Sequence, residues 1–77
     1  MKIFVFNTLL DNAYPGADAV GFIELVVADS IEFARILLKA QLIKQFASYS
    51  EEKDGPRLDA DILKMGYREF IFLLEPE

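Results

Sequence analysis

The chain contains no cysteine, no histidine and no tryptophan. Without cysteine there is no disulfide framework, no thiolate metal site and no thiol nucleophile. Without histidine the commonest general base and the commonest imidazole ligand are missing. Oxygen donors remain, and these favour hard cations, so no tightly bound transition metal and no cofactor is expected. Ser30, Ser48 and Ser50 have no imidazole to activate them. Ser30 reads as a helix cap, and the other two as the end of a helix. Long apolar runs are also missing. No segment approaches the ~18–20 apolar residues that span a bilayer. Lys2 followed by Ile3-Phe4-Val5-Phe6 looks like the start of a signal sequence, but Asn7, Thr8 and Asp11 interrupt it too early. The expectation is a cytoplasmic protein without a targeting signal.

Positive charge is in short supply: 8 Lys and Arg stand against 13 Asp and Glu, a net charge of −5. A phosphate-binding surface needs clustered cations. Here Lys2, Arg35, Lys39, Lys44, Lys53, Arg57, Lys64 and Arg68 are scattered. Neither nucleic acid nor an anionic membrane surface is expected as a partner.

What the chain does have is apolar residues, at 53% of 77 positions. That excludes intrinsic disorder and leaves room for one domain, residues 1–77. Glycine and proline punctuate it at Pro15-Gly16, Gly55-Pro56, Gly66 and Pro76. Lys2 to Thr8 is β-branched and aromatic and predicts a strand. Leu9 to Asp18 reads as a loop, and Ala19 to Ala28 as a second strand. Asp29 and Ser30 are good caps, and a helix follows from Ile31 to about Tyr49. Ser50 to Arg57 reads as a charged loop. Asp59 to Met65 fits a short helical turn, with Asp59 as its cap and Gly66 as its stop. Tyr67 to Leu74 predicts the third strand. The expected fold is α+β: a small three-stranded sheet, in β-β-α-β order, packed on one long helix, with an extra short helical turn near 59–65.

Two features conflict with a self-sufficient monomer. All three strands are apolar on both sides, and one helix covers only one face of a sheet. The other face would expose some of Phe4, Phe6, Phe22, Phe70 and Phe72, more apolar area than a soluble monomer tolerates. The helix is the second. Ile31, Phe33, Ala34, Leu37 and Leu38 form an apolar side, and from Ala40 onward Leu42, Ile43 and Phe46 occupy the earlier polar side. Either the helix breaks near Lys39–Gln41 or its second half projects to pack elsewhere. The absence of a local cause for a kink favours projection. Below ~70–80 residues a core rarely supplies more than ~3–5 kcal/mol without a disulfide, a metal or oligomerisation. The expectation is therefore a homo-oligomer, most simply a dimer. Its interface would be built from Leu42, Ile43, Phe46 and Tyr49 of the helix and Phe4, Phe6, Phe70 and Phe72 of the sheet. The competing possibility is that Leu9, Leu10, Ala13 and Tyr14 of the first loop cover the open face.

The acids carry little chemistry. Glu51 to Asp61 holds Asp54, Asp59, Asp61 and Gly55, which resemble a calcium loop only loosely, because Pro56 and Arg57 stand where ligands belong. Asp11, Asn12 and Asp18 are better explained by turn formation. Glu24 interrupts an apolar strand and is the most interesting acid. An edge-strand position, or pairing with Arg68 or Lys2, accounts for it structurally. Gly16 and Gly21 have the spacing of a phosphate loop, but Phe22-Ile23 follows instead of Lys-Ser/Thr. The sequence thus points to a non-enzymatic interaction module that self-associates through apolar helix and sheet surfaces. The alternative is a small acidic inhibitor or decoy that blocks a basic surface of a nucleic-acid-handling complex. Another protein remains open as a partner.

Overall fold

The computed structural model of the protein describes residues 1–11 and 19–71, with the side chains of residues 11, 19 and 20 left aside. Strand β1 is Lys2–Asp11 and β2 is Ala19–Ala28. Helices α1, Ile31–Gln45, and α2, Glu51–Lys64, follow, and β3 is Gly66–Ile71. The fold is α+β, in the order β-β-α-α-β. One antiparallel sheet, ordered β2-β1-β3, carries both helices on one side. The first strand runs three residues further than Thr8, so Leu9 and Leu10 belong to the sheet. Most of the expected loop, and the end of the third strand from Phe72 onward, lie outside the described residues.

Helix α1 starts where the sequence places it. Ser30 is the N-cap, and its hydroxyl accepts the Phe33 N–H at 3.2 Å, satisfying one of the four donors a helix start leaves open. The helix neither breaks near Lys39–Gln41 nor projects beyond its sheet. It runs through that segment and stops at Gln45, where Phe46 leaves helical geometry and its N–H closes back on the Leu42 carbonyl. Its apolar stripe does not invert. Ala34, Leu38 and Leu42 are all fully buried and recur every four residues. At 3.6 residues per turn such a row drifts by about 40° per step, so it winds around the helix rather than changing sides. Grouping Leu42 with the half-buried Ile43 makes that drift look like a reversal.

The charged segment 50–57 is not a loop but the first half of α2. Ser50, not Asp59, caps it. The Ser50 hydroxyl accepts the Lys53 N–H at 3.2 Å, and Asp54 Oδ2 accepts the Ser50 N–H at 2.9 Å, a reciprocal cap. Asp54 is buried, and Arg57 clamps its other oxygen at 3.1 Å. This network offsets Pro56, which lacks the N–H that would bond one turn back. A Cβ at Gly55 would lie 3.2 Å from Oε1 of Glu51, the flexible end of a side chain on the same helix, and at an ordinary contact distance of 3.5 Å from Lys39 Nζ. Lys39 bridges the pair, donating to Glu51 at 2.9 Å and Asp59 at 3.1 Å. The hydrogen bond to Glu51, then that to Asp59, raises the Lys39 pKa above 10.5. Because the folded value is the raised one, this link is complete at neutral pH and is lost only in strong alkali, as pH rises through it. Ser50→Ala should destabilise the chain by about 1 kcal/mol in chemical denaturation. No change would mean that the α2 start is held by packing alone.

The core lies between sheet and helices. Phe4, Phe6 and Leu10 of β1 meet Val26 and Ala28 of β2, Ala34, Leu38 and Leu42 of α1, and Leu58 and Ile62 of α2. Phe46 and Tyr49, in the inter-helix connection, close one end. The Phe46 ring lies 5.1 Å from Phe22, tilted at 48°, and meets Tyr49 edge-on at 6.1 Å, and Arg57 lies over the Tyr49 ring. At the other margin Tyr67 of β3 packs on Phe4 and Phe6. Thr8, buried among these rings, donates to the Phe22 carbonyl at 2.9 Å. No described helix is long and apolar enough to cross a membrane.

Candidate functional site

The pleat sends alternate residues of each strand to opposite faces. Since Phe4, Phe6, Thr8 and Leu10 face the helices, Ile3, Val5, Asn7 and Leu9 face away. The register builds that outer face in rows across the sheet. Val27, Ile3 and Phe70 form the first row, and Leu25, Val5 and Arg68 the second. Ile23, Asn7 and Gly66 form the third. No described element covers these rows. Ile23 is 72% exposed, Leu25 56%, Val27 47% and Phe70 50%, and Leu9 stands out beyond them. Cross-strand neighbours at this spacing touch one another, so the rows merge into one apolar patch.

The patch is also where the chain's negative charge is absent. Among the side chains described, its only charge is Arg68. Glu32, Glu51, Glu52, Asp59 and Asp61 belong to the helices, on the other side of the sheet. Glu69 shares the inner side with Phe4 and is paired to Lys2 at 3.4 Å.

Of the residues expected to form an interface, Phe70 alone is on this patch with large exposure. Phe4 and Phe6 are fully buried beneath the helices, the opposite phase from that expected. Leu42, Phe46 and Tyr49 are buried in the chain's own core, because α1 stops at Gln45 and the connection folds inward. Ile43 is half-buried against that core. Phe72 lies outside the described residues. The aliphatic residues Ile3, Val5, Ile23, Leu25 and Val27, which the expected interface did not include, make up most of this patch. Their signal is the alternation itself, but both phases of β1 are apolar, and nothing in the sequence says which phase the helices take.

Glu24 has a structural assignment. It sits on the edge strand β2, faces inward, and accepts a 2.9 Å hydrogen bond from Gln41 Nε2. Neither Arg68 nor Lys2 is its partner. An inward charge on an edge strand disfavours addition of another strand there. Glu24→Gln keeps an oxygen to accept that bond. It should shift stability by less than about 1 kcal/mol and leave the dissociation constant of a face-to-face dimer unchanged in light scattering. Among the described residues no group of three or more acids is placed to hold a metal ion. The chain matches no protein-family model, and neither the curated proteins nor the solved structures contain a significant match.

Proposed function

We propose that the protein is a non-enzymatic interaction module that forms a two-fold homodimer through the open face of its sheet. The observation that supports this reading is the continuous apolar patch of Ile3, Val5, Ile23, Leu25, Val27 and Phe70, free of acidic side chains among those described. A chain of net charge −5 repels its own copies. Packing sheet face on sheet face puts the two acidic helix layers on the outside, as far apart as the fold allows. Sheets stacked this way sit about 10 Å apart with side chains interdigitated, and a closed two-fold lets one patch satisfy itself. The face measures roughly 14 by 30 Å from strand spacing and rise. That is roughly 400 Å² a side, about half the ~800 Å² a side of a standard interface and in the range of weak, transient association.

The acidic-decoy reading draws less support. Glu51 and Asp59 are engaged by Lys39, and Asp54 by Arg57, so much of the α2 acid is neutralised within the chain.

Light scattering across a dilution series tests the proposal. The expected result is a species of twice 8.8 kDa at high micromolar concentration, dissociating on dilution and persisting in 1 M salt. A monomer at every concentration would overturn it.

A further inference from the structure

On the side away from the sheet face, the first half of α1 and the second half of α2 leave a cleft of about 460 Å³. Its volume lies within the ~300–1,000 Å³ of small-molecule sites. Ile36, Ile62 and Leu63 supply its apolar surface, and Ile36 and Leu63 are each 63% exposed. Glu32, Arg35, Lys39 and Asp59 supply its polar groups. Lys39 and Asp59 are bonded to each other. Arg35 differs. It has no carboxylate partner among the described residues, and its Nε is buried without a hydrogen-bond acceptor. Its guanidinium is held over the Tyr67 ring at 5.8 Å. The Nε is closed off from the cleft, so it is the accessible part of this half-buried side chain, which lines the cleft and has no carboxylate partner among the described residues, that can receive a carboxylate there.

We infer that this cleft binds an aliphatic monocarboxylate of fatty-acid type, its chain along Ile36, Ile62 and Leu63 and its carboxylate on Arg35. The charge count favours a monoanion over a dianion: the lining holds two acids and two bases and carries no net charge, so one added negative charge on Arg35 is repelled less by Glu32 and Asp59 than two would be. The lining selects an aliphatic chain, since it contains no aromatic ring to stack a planar ligand. The inference is independent of the dimer, in which the helix layers face outward and both clefts stay open.

Titration with sodium decanoate at neutral pH, below its micellar concentration and followed by amide NMR, tests this. The expected shifts concentrate in residues 32–39 and 59–63. Arg35→Gln should weaken decanoate binding about tenfold or more, the usual loss for one hydrogen bond to a charged group. Decan-1-ol should bind more weakly to the wild type and be indifferent to that change. Leu63→Gln, at an exposed position that does not threaten the fold, should also weaken decanoate. Equal binding of decanol and decanoate, no response to either substitution, or shifts on Leu25 and Val27 instead would overturn the assignment.

Discussion

Replacing Leu58 by alanine should remove most of the stability of the chain. Leu58 lies at the centre of α2, is fully buried, and joins the same core as Phe6 and Leu38. Truncating such a leucine costs about 2–5 kcal/mol, the lost transfer energy plus the cavity left behind. A single core in a chain this short contributes on the order of 3–5 kcal/mol. The variant should therefore be largely unfolded at room temperature, as read by chemical denaturation and the loss of dispersed amide resonances. The matched control is Leu63→Ala, on the same helix but mostly exposed, which should lie within about 0.5 kcal/mol of wild type. If Leu58→Ala cost less than Leu63→Ala, α2 could not pack as described. This comparison probes the part of the fold furthest from the sequence reading, the second helix.

The double change Ile23→Lys with Leu25→Lys should abolish self-association and leave the monomer folded. Both residues sit on the outer face of edge strand β2, so lysines there reach water without disturbing the core. In the dimer they would place four buried ammonium groups in one interface, each costing several kcal/mol. The dissociation constant should rise at least a thousandfold, beyond the reach of light scattering at millimolar protein. Circular dichroism should keep its helical signal. Phe46→Lys should behave oppositely and unfold the chain, because Phe46 is buried against Phe22 and Tyr49. If Phe46→Lys instead gave a folded monomer, the surface used would be the end of α1 and not the sheet.

The sheet and the start of α1 were legible because their signals are local. Val20 to Ala28 is a β-branched, aromatic and aliphatic run interrupted only by Gly21 and Glu24, and Ser30 precedes an unbroken run of helix formers. The second helix was hidden by Gly55-Pro56, which locally argues against helix. What overrides it is a cap four residues wide together with burial of Leu58 and Ile62, and the burial depends on tertiary neighbours. The need for a covered second face was also legible, from strands apolar in both phases. Which phase faces out was not. That choice is made by where the helices land, with α1 packed on β2. The cleft at Arg35 had no sequence signal, since residues 32–39 and 59–63 meet only in space.

Self-association through the sheet face, as proposed, would also set how far assembly proceeds. A molecule sticky on both sides can add copies indefinitely and grow into a fibre. One with a single sticky side reaches saturation at two. The remaining route to growth is lateral, along the open edge of β2, and there Glu24 turns its carboxylate toward Gln41 beneath the sheet. A strand laid against that edge would set its own side chain beside this charge. Growth of the sheet is thus discouraged by one residue, and in the proposed dimer stacking would be exhausted after one step. The proposed dimer would in this way give a chain that is 53% hydrophobic a finite aggregation number.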